Sequence, residues 1–332
     1  MKLNLTIFYQ KRYFVTLLLL FLTIEFSSGS AIAEPLISEP KFFQLSTENG
    51  LPQDSVNDML LDKDHFLWIA TEEGLVRFDG YRYTSVTGKN NELSYQPIYK
   101  LSQDSSGKIW VSTALTGVHR LDPKSGETKN IVDLLSFQSS DLHQYAERIR
   151  EQKDGSIWIA MSEEVLRFDP VTEQISSVYS LTEEQLNSGM SIRDIWLEQD
   201  ILYVASVGEL TAVDTSSHTQ TAINYLQQYT HNEDSKNVKY LFKDPTGQLL
   251  VGTVEGLYSL PFGKLNTYVK GQGPLPKSQI ILPQRNIWSI VQYSDELLYL
   301  ATDQGLYSYN VRSNESLHIL RPSDSRKYLS ED

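Results

Sequence analysis

The sequence predicts an all-β protein, a β-propeller with six recognisable four-stranded blades. Three observations predict it. A short apolar motif returns six times with a period of about 45 residues. Turn-forming residues return at fixed offsets from that motif. The segments between the motifs are turn-rich and short, with no room for the helix that each strand of a parallel α/β sheet would need.

The motif is clearest at Leu67-Trp68-Ile69-Ala70-Thr71, Ile109-Trp110-Val111-Ser112-Thr113 and Ile157-Trp158-Ile159-Ala160. It is weaker at Leu202-Tyr203-Val204-Ala205, Leu249-Leu250-Val251-Gly252-Thr253 and Leu298-Tyr299-Leu300-Ala301-Thr302. Near-continuous apolar character marks a strand covered on both faces, as between neighbouring blades. Trp68, Trp110 and Trp158 are therefore expected in the core. In the first unit Val56–Leu61 reads as strand one, Phe66–Thr71 as strand two, Leu75–Phe78 as strand three and Tyr81–Val86 as strand four. Before the tryptophan strand stand turns such as Asp62-Lys63-Asp64-His65 and Asp104-Ser105-Ser106-Gly107, whose Asp bonds its own backbone and whose Gly accepts positive φ. A second glycine follows the strand at Gly74, Gly117, Gly256 and Gly305. Helical insertions are expected at Asp141–Arg148 and Leu181–Gly189. Outer strands are expected near Tyr81–Val86, Glu127–Val132, Gln174–Tyr179, Thr219–Ile223, Asn266–Val269 and Ser316–Leu320.

Residues 1–33 read as an export signal. Lys2, Lys11 and Arg12 precede an apolar run, Phe14–Ile24, and Ala31-Ile32-Ala33 supplies a small-x-small cleavage pattern. The alternative is an uncleaved anchor, but the run is short of the roughly 20 residues that span a bilayer. The propeller domain is then 34–332, exported to the periplasm. It carries 26 basic and 41 acidic residues, a net charge of −15, so nucleic acid and anionic membrane are not expected partners. The chain has no cysteine, which excludes disulfides, thiolate metal sites and cysteine nucleophiles.

Catalytic motifs are missing. No two of the six histidines stand at ligand spacing, and there is no Gly-x-Ser-x-Gly elbow or phosphate loop. Ser105-Ser106-Gly107-Lys108 matches Ser-x-x-Lys only in form, inside a repeat turn. Asp62-Lys63-Asp64 lacks the rest of a calcium loop. Glu72-Glu73 and Glu163-Glu164 occupy equivalent hairpin turns. No cofactor, metal or catalytic residue is expected.

One column carries a binding hypothesis. Aligned first strands place Asn57, Tyr99, Glu147, Arg193, Lys239 and Trp288 together, and two residues further on the column is apolar (Met59, Leu101, Ile149, Ile195, Leu241, Ile290). First strands line the central channel of a propeller. Such alternation means that one side packs while the other faces water or ligand. The polar column is either a ligand-binding ring or a solvated ring without a ligand. Trp288 and Trp196 lie off the main tryptophan position. Both are candidate contacts, with core the expected place for Trp196.

The unit Val56–Asp62, Phe66–Thr71 and Gly74–Gly80, with the lead-in Phe42–Pro52, resembles the two-component regulator propeller repeat. The likeness is close over 42–180 and degenerate but in register afterwards. It implies a periplasmic input module of a sensor histidine kinase or diguanylate cyclase. Such a module takes a small-molecule or oligosaccharide ligand, with homodimerisation in the full-length sensor. The kinase or cyclase output is not encoded in these 332 residues. The alternatives are a free periplasmic propeller that binds another protein, and a carbohydrate-active enzyme.

A count of strands adds one expectation. Lys41–Leu45 reads as a seventh outer strand without inner strands of its own. That points to a circle one blade short of seven, its missing strands lying beyond Asp332. The alternative is a complete six-bladed ring closed by Lys41–Leu45.

Overall fold

The structure, a computed structural model, describes residues 45–132, 145–226 and 237–320. The export signal, its cleavage site and Ser323–Asp332 lie outside the described residues, as does all but the last residue of Lys41–Leu45. Six antiparallel sheets follow one another along the chain, each with its four strands in sequential order. The innermost strands are Val56–Leu61, Ile98–Gln103, Ala146–Glu151, Ile192–Glu198, Val238–Lys243 and Ile287–Gln292. The all-β six-bladed propeller expected from the period is the fold observed.

The turn before each second strand organises its blade. Asp62 accepts from the amides of Asp64 and Phe66 through Oδ1, both at 2.9 Å, while its Oδ2 accepts from Trp68 Nε1 at 2.6 Å. Asp104 repeats the device, with Lys108 N at 3.0 Å and Trp110 Nε1 at 2.9 Å. One carboxylate thus closes the hairpin and satisfies a buried indole N–H that would otherwise lose its water partner. At the far end of the strand Thr71, Thr113, Thr253 and Thr302 donate to the carbonyl of the hairpin glycine. Gly74 takes φ +132° there, a region that a Cβ makes costly.

Trp68, Trp110 and Trp158 are buried as expected. Each faces the blade that follows it: Trp68 packs with Ile98 and Ile109, Trp110 with Ile149 and Ile159, and Trp158 with Ile192 and Val204. Apolar clusters of this kind fill five junctions between successive blades, the last joining Leu250 to Ile287 and Leu298.

Two local expectations are corrected. Asn266–Val269 is not a strand. It ends the helix α1, Phe262–Val269, whose Phe262 and Leu265 lie one turn apart and are both buried in the core. The outer strand of that blade is Gln279–Pro283. The helix expected over Asp141–Arg148 fails from Ala146 onward, because Ala146–Glu151 is the first strand of blade three; 141–144 lie outside the described residues. The other expected insertion is present as the short helix Glu183–Asn187, between blades three and four. Its N-terminus is set by a capping box between Thr182 and Gln185.

Candidate functional site

Each first strand is interrupted by a bulge near its start, and the bulged residue is the polar column itself. Val56 pairs with Thr71 and Asp58 with Ala70, which leaves Asn57 without a cross-strand partner. The same skip isolates Tyr99, Glu147, Arg193, Lys239 and Trp288 in the other five blades. A bulge adds one residue to one strand and re-aims its side chain, a device common beside binding sites.

The structure brings four of the six together. Glu147, Arg193, Lys239 and Trp288 line a cavity of about 500 Å³, with Lys100, Arg148, Asn237 and Tyr240. Asn57 and Tyr99 are not among its walls. Asn57 Nδ2 donates to Glu72 Oε1 at 2.9 Å and to the Ile98 carbonyl at 3.0 Å, tying blade one to blade two. Tyr99 lies against Tyr145, ring centroids 4.0 Å apart.

The residue after each bulge was not singled out by the sequence reading, and it carries the deepest charges. Asp194 is fully buried. It accepts from Arg148 Nε at 3.0 Å, from Arg150 Nη2 at 3.1 Å and from the amide of Leu241, a blade further on, at 2.9 Å. Arg150 Nη2 also donates to the Leu241 carbonyl at 3.0 Å. Asp58 makes the equivalent bond to the amide of Leu101 in its own next blade, 3.0 Å. Arg148 stands over Tyr240 at 4.6 Å and Arg150 over Trp196 at 4.7 Å. Trp196 is thus half-buried, packed against the core of blades four and five. Arg150, Ile149 and Trp196 line a separate cavity of about 400 Å³. The Arg148–Asp194–Arg150 knot stands between the two cavities. The signal for it was present in the sequence as opposite charges on the first strands of blades three and four.

The first cavity is cationic. Arg193 Nη1 pairs with Glu147 Oε1 at 2.5 Å. Burial works against the Arg148 charge, but Asp194, Tyr240 and Asp58 together outweigh it and hold that guanidinium's pKa above its usual value. Lys239 has no ion pair among the described residues. Burial lowers its pKa from the usual 10.5 and the Arg193 charge adds to the effect, with Asp303 opposing. Lys100 also lacks an ion pair among the described residues. Trp288 is 59 % exposed, an indole face open to solvent beside these cations. Such a site can take an anionic group and lay a flat apolar ring or sugar face on the indole. Among the described residues no group of three His, Cys, Asp or Glu could hold a metal ion.

The family described as two component regulator propeller matches residues 50–73. No curated protein matches the chain. Among solved structures, the chain is similar to an extracellular domain assigned to a hybrid two component system, BT3049 from B. thetaiotaomicron. The identity is 20 % and the TM-score 0.67, over 88 % of this chain and 38 % of that one. It is also similar to PorZ, a surface component of the type-IX secretion system of Porphyromonas gingivalis, at 13 % identity and TM-score 0.62 over 87 % and 44 %. Virginiamycin B lyase from Staphylococcus aureus follows at 15 % and 0.58, over 82 % and 87 %. At these identities the likeness is one of fold, and the chain spans less than half the length of the first two.

Proposed function

We propose that this chain is an exported ligand-sensing propeller, the input module of a signal-transduction protein, and that its channel mouth takes an anionic ligand such as an acidic oligosaccharide. The observation that carries the reading is the excess of positive charge at Lys100, Arg148, Arg193 and Lys239 around one cavity, in a chain whose net charge is −13. A site that runs against the sign of the whole molecule focuses opposite charge where its solvent-exposed surroundings repel it. The match at residues 50–73 and the extracellular sensor domain of similar fold support the signalling role. The absence of catalytic motifs supports a site that binds without turnover.

Length-matched neutral and uronic-acid oligosaccharides, titrated calorimetrically, test the reading. The acidic series binds and the neutral series does not. Lys239→Ala and Arg193→Ala each weaken binding by roughly 1.5–3 kcal/mol, the worth of a hydrogen bond to a charged group. Equal binding of both series, or wild-type affinity in both variants, would remove the anionic reading.

A further inference from the structure

The repeat makes each position its own control, and one junction departs from the other five. The residue before the bulge faces the preceding blade. Ile98, Ala146, Ile192, Val238 and Ile287 are all completely buried there, whereas Val56 of blade one is 40 % exposed. The residue two beyond the bulge faces the same way. Ile149, Ile195, Leu241 and Ile290 are buried and Leu101 is partly so, but Met59 is 60 % exposed. Leu61, two residues later, is exposed as well. Further out the same side of blade one is covered: Leu51 of the lead-in seals Ile69 and Val76. The lead-in to blade two does the same with Leu93.

The opposite side of blade six is bare in the complementary way. The second strand is buried along nearly its whole length in the first five blades. In blade six it alternates: Leu298, Leu300 and Thr302 are buried against blade five, while Leu297, Tyr299 and Ala301 are only half-buried. Tyr299 occupies the position of Trp68, which in the other blades points into the following blade. Val291 stands where Leu60 and Phe242 pack forward, yet it is 58 % exposed. No apolar cluster joins blade six to blade one among the described residues.

We propose that these two walls are the receptor for one further β-sheet of this same repeat, a seventh blade. The occupant follows from what covers the equivalent residues elsewhere. Val56 and Met59 need the forward side of a blade, with a large side chain at the Trp68 position. Tyr299 and Val291 need the backward side, with aliphatic residues at the Ile98 and Leu101 positions. A sheet with both sides apolar in that register satisfies the two walls together. The five filled junctions are continuous with the one left open, and they supply its template.

The chain has no cysteine, so Met59→Cys and Val291→Cys each place a single thiol on one wall. In the full chain both react with a maleimide at the rate of an open thiol. With a copy of blade two, residues 94–132, fused after Asp332, both rates fall by roughly tenfold or more, as burial in a packed junction requires. Unchanged labelling in a folded fusion overturns the proposal. So does slow labelling in the unfused chain: at doubled sedimenting mass the walls belong to a second copy, and at monomer mass to other parts of the same chain. A second fusion carrying residues 146–180 guards against misfolding of the first copy. Rejection of both copies beside an intact six-bladed body also counts against a blade receptor.

Discussion

Lys239 has no ion pair among the described residues and sits in a half-enclosed site, where its titration would report the binding of an anion. Its folded pKa lies below 10.5, through burial first and the Arg193 charge second. The charged form is disfavoured by folding, so this group weakens the folded state at neutral pH. That penalty is relieved as pH rises from the folded value to 10.5. A bound anion does the reverse and favours the ammonium. Binding an anion should therefore take up protons as pH rises past the lowered pKa, and affinity should fall as pH climbs through it. Calorimetry in two buffers of different ionisation enthalpy gives the sign directly. Proton release would mean that the ligand is not anionic. Asp194 shows a different balance: a buried carboxylate is tolerable because two guanidiniums and a backbone amide converge on it.

At the scale of the element, the second strand shows how far a sequence pattern reads and where it stops. Its apolar run announced a strand covered on both faces, which the first five blades bear out. The run at Leu298–Thr302 looks the same, yet one of its faces is half-open, because burial depends on a neighbour the run cannot specify. The consequence is measurable in chemical denaturation. Trp68→Ala and Trp110→Ala should each cost about 3–5 kcal/mol, as truncated buried aromatics do. Tyr299→Ala, at the equivalent position, should cost clearly less. Equal losses would mean that the sixth blade is covered as fully as the first. The polar column was legible because six first strands align without gaps. Its bulge was not, since an extra residue in a strand changes pairing rather than hydrophobic pattern. The helix at Phe262–Val269 escaped for a related reason: a short Tyr- and Val-containing segment after a strand carries β propensity, and only the burial of Phe262 with Leu265 reveals the helical turn.

For the whole molecule, the repeat count was readable from spacing. The strand count left the closing of the ring open between two readings, because closure depends on two walls about 240 residues apart in sequence. Among the described residues a row of blades joined by five filled junctions behaves as an array with two ends, the inner part of each end blade supported on one side only. Backbone amides of the second strands in blades one and six should exchange sooner than those in blades three and four, by roughly one to two orders of magnitude per missing 1–3 kcal/mol of support. Uniform exchange across all six would mean that the ends are joined. The six bulges have a consequence of another kind. A residue outside the ladder can be replaced without changing which residues pair on either side of it. Six such positions stand one to a blade, and four of them line one cavity. The scaffold can therefore change the chemistry of that cavity wall one residue at a time while its sheets stay in register.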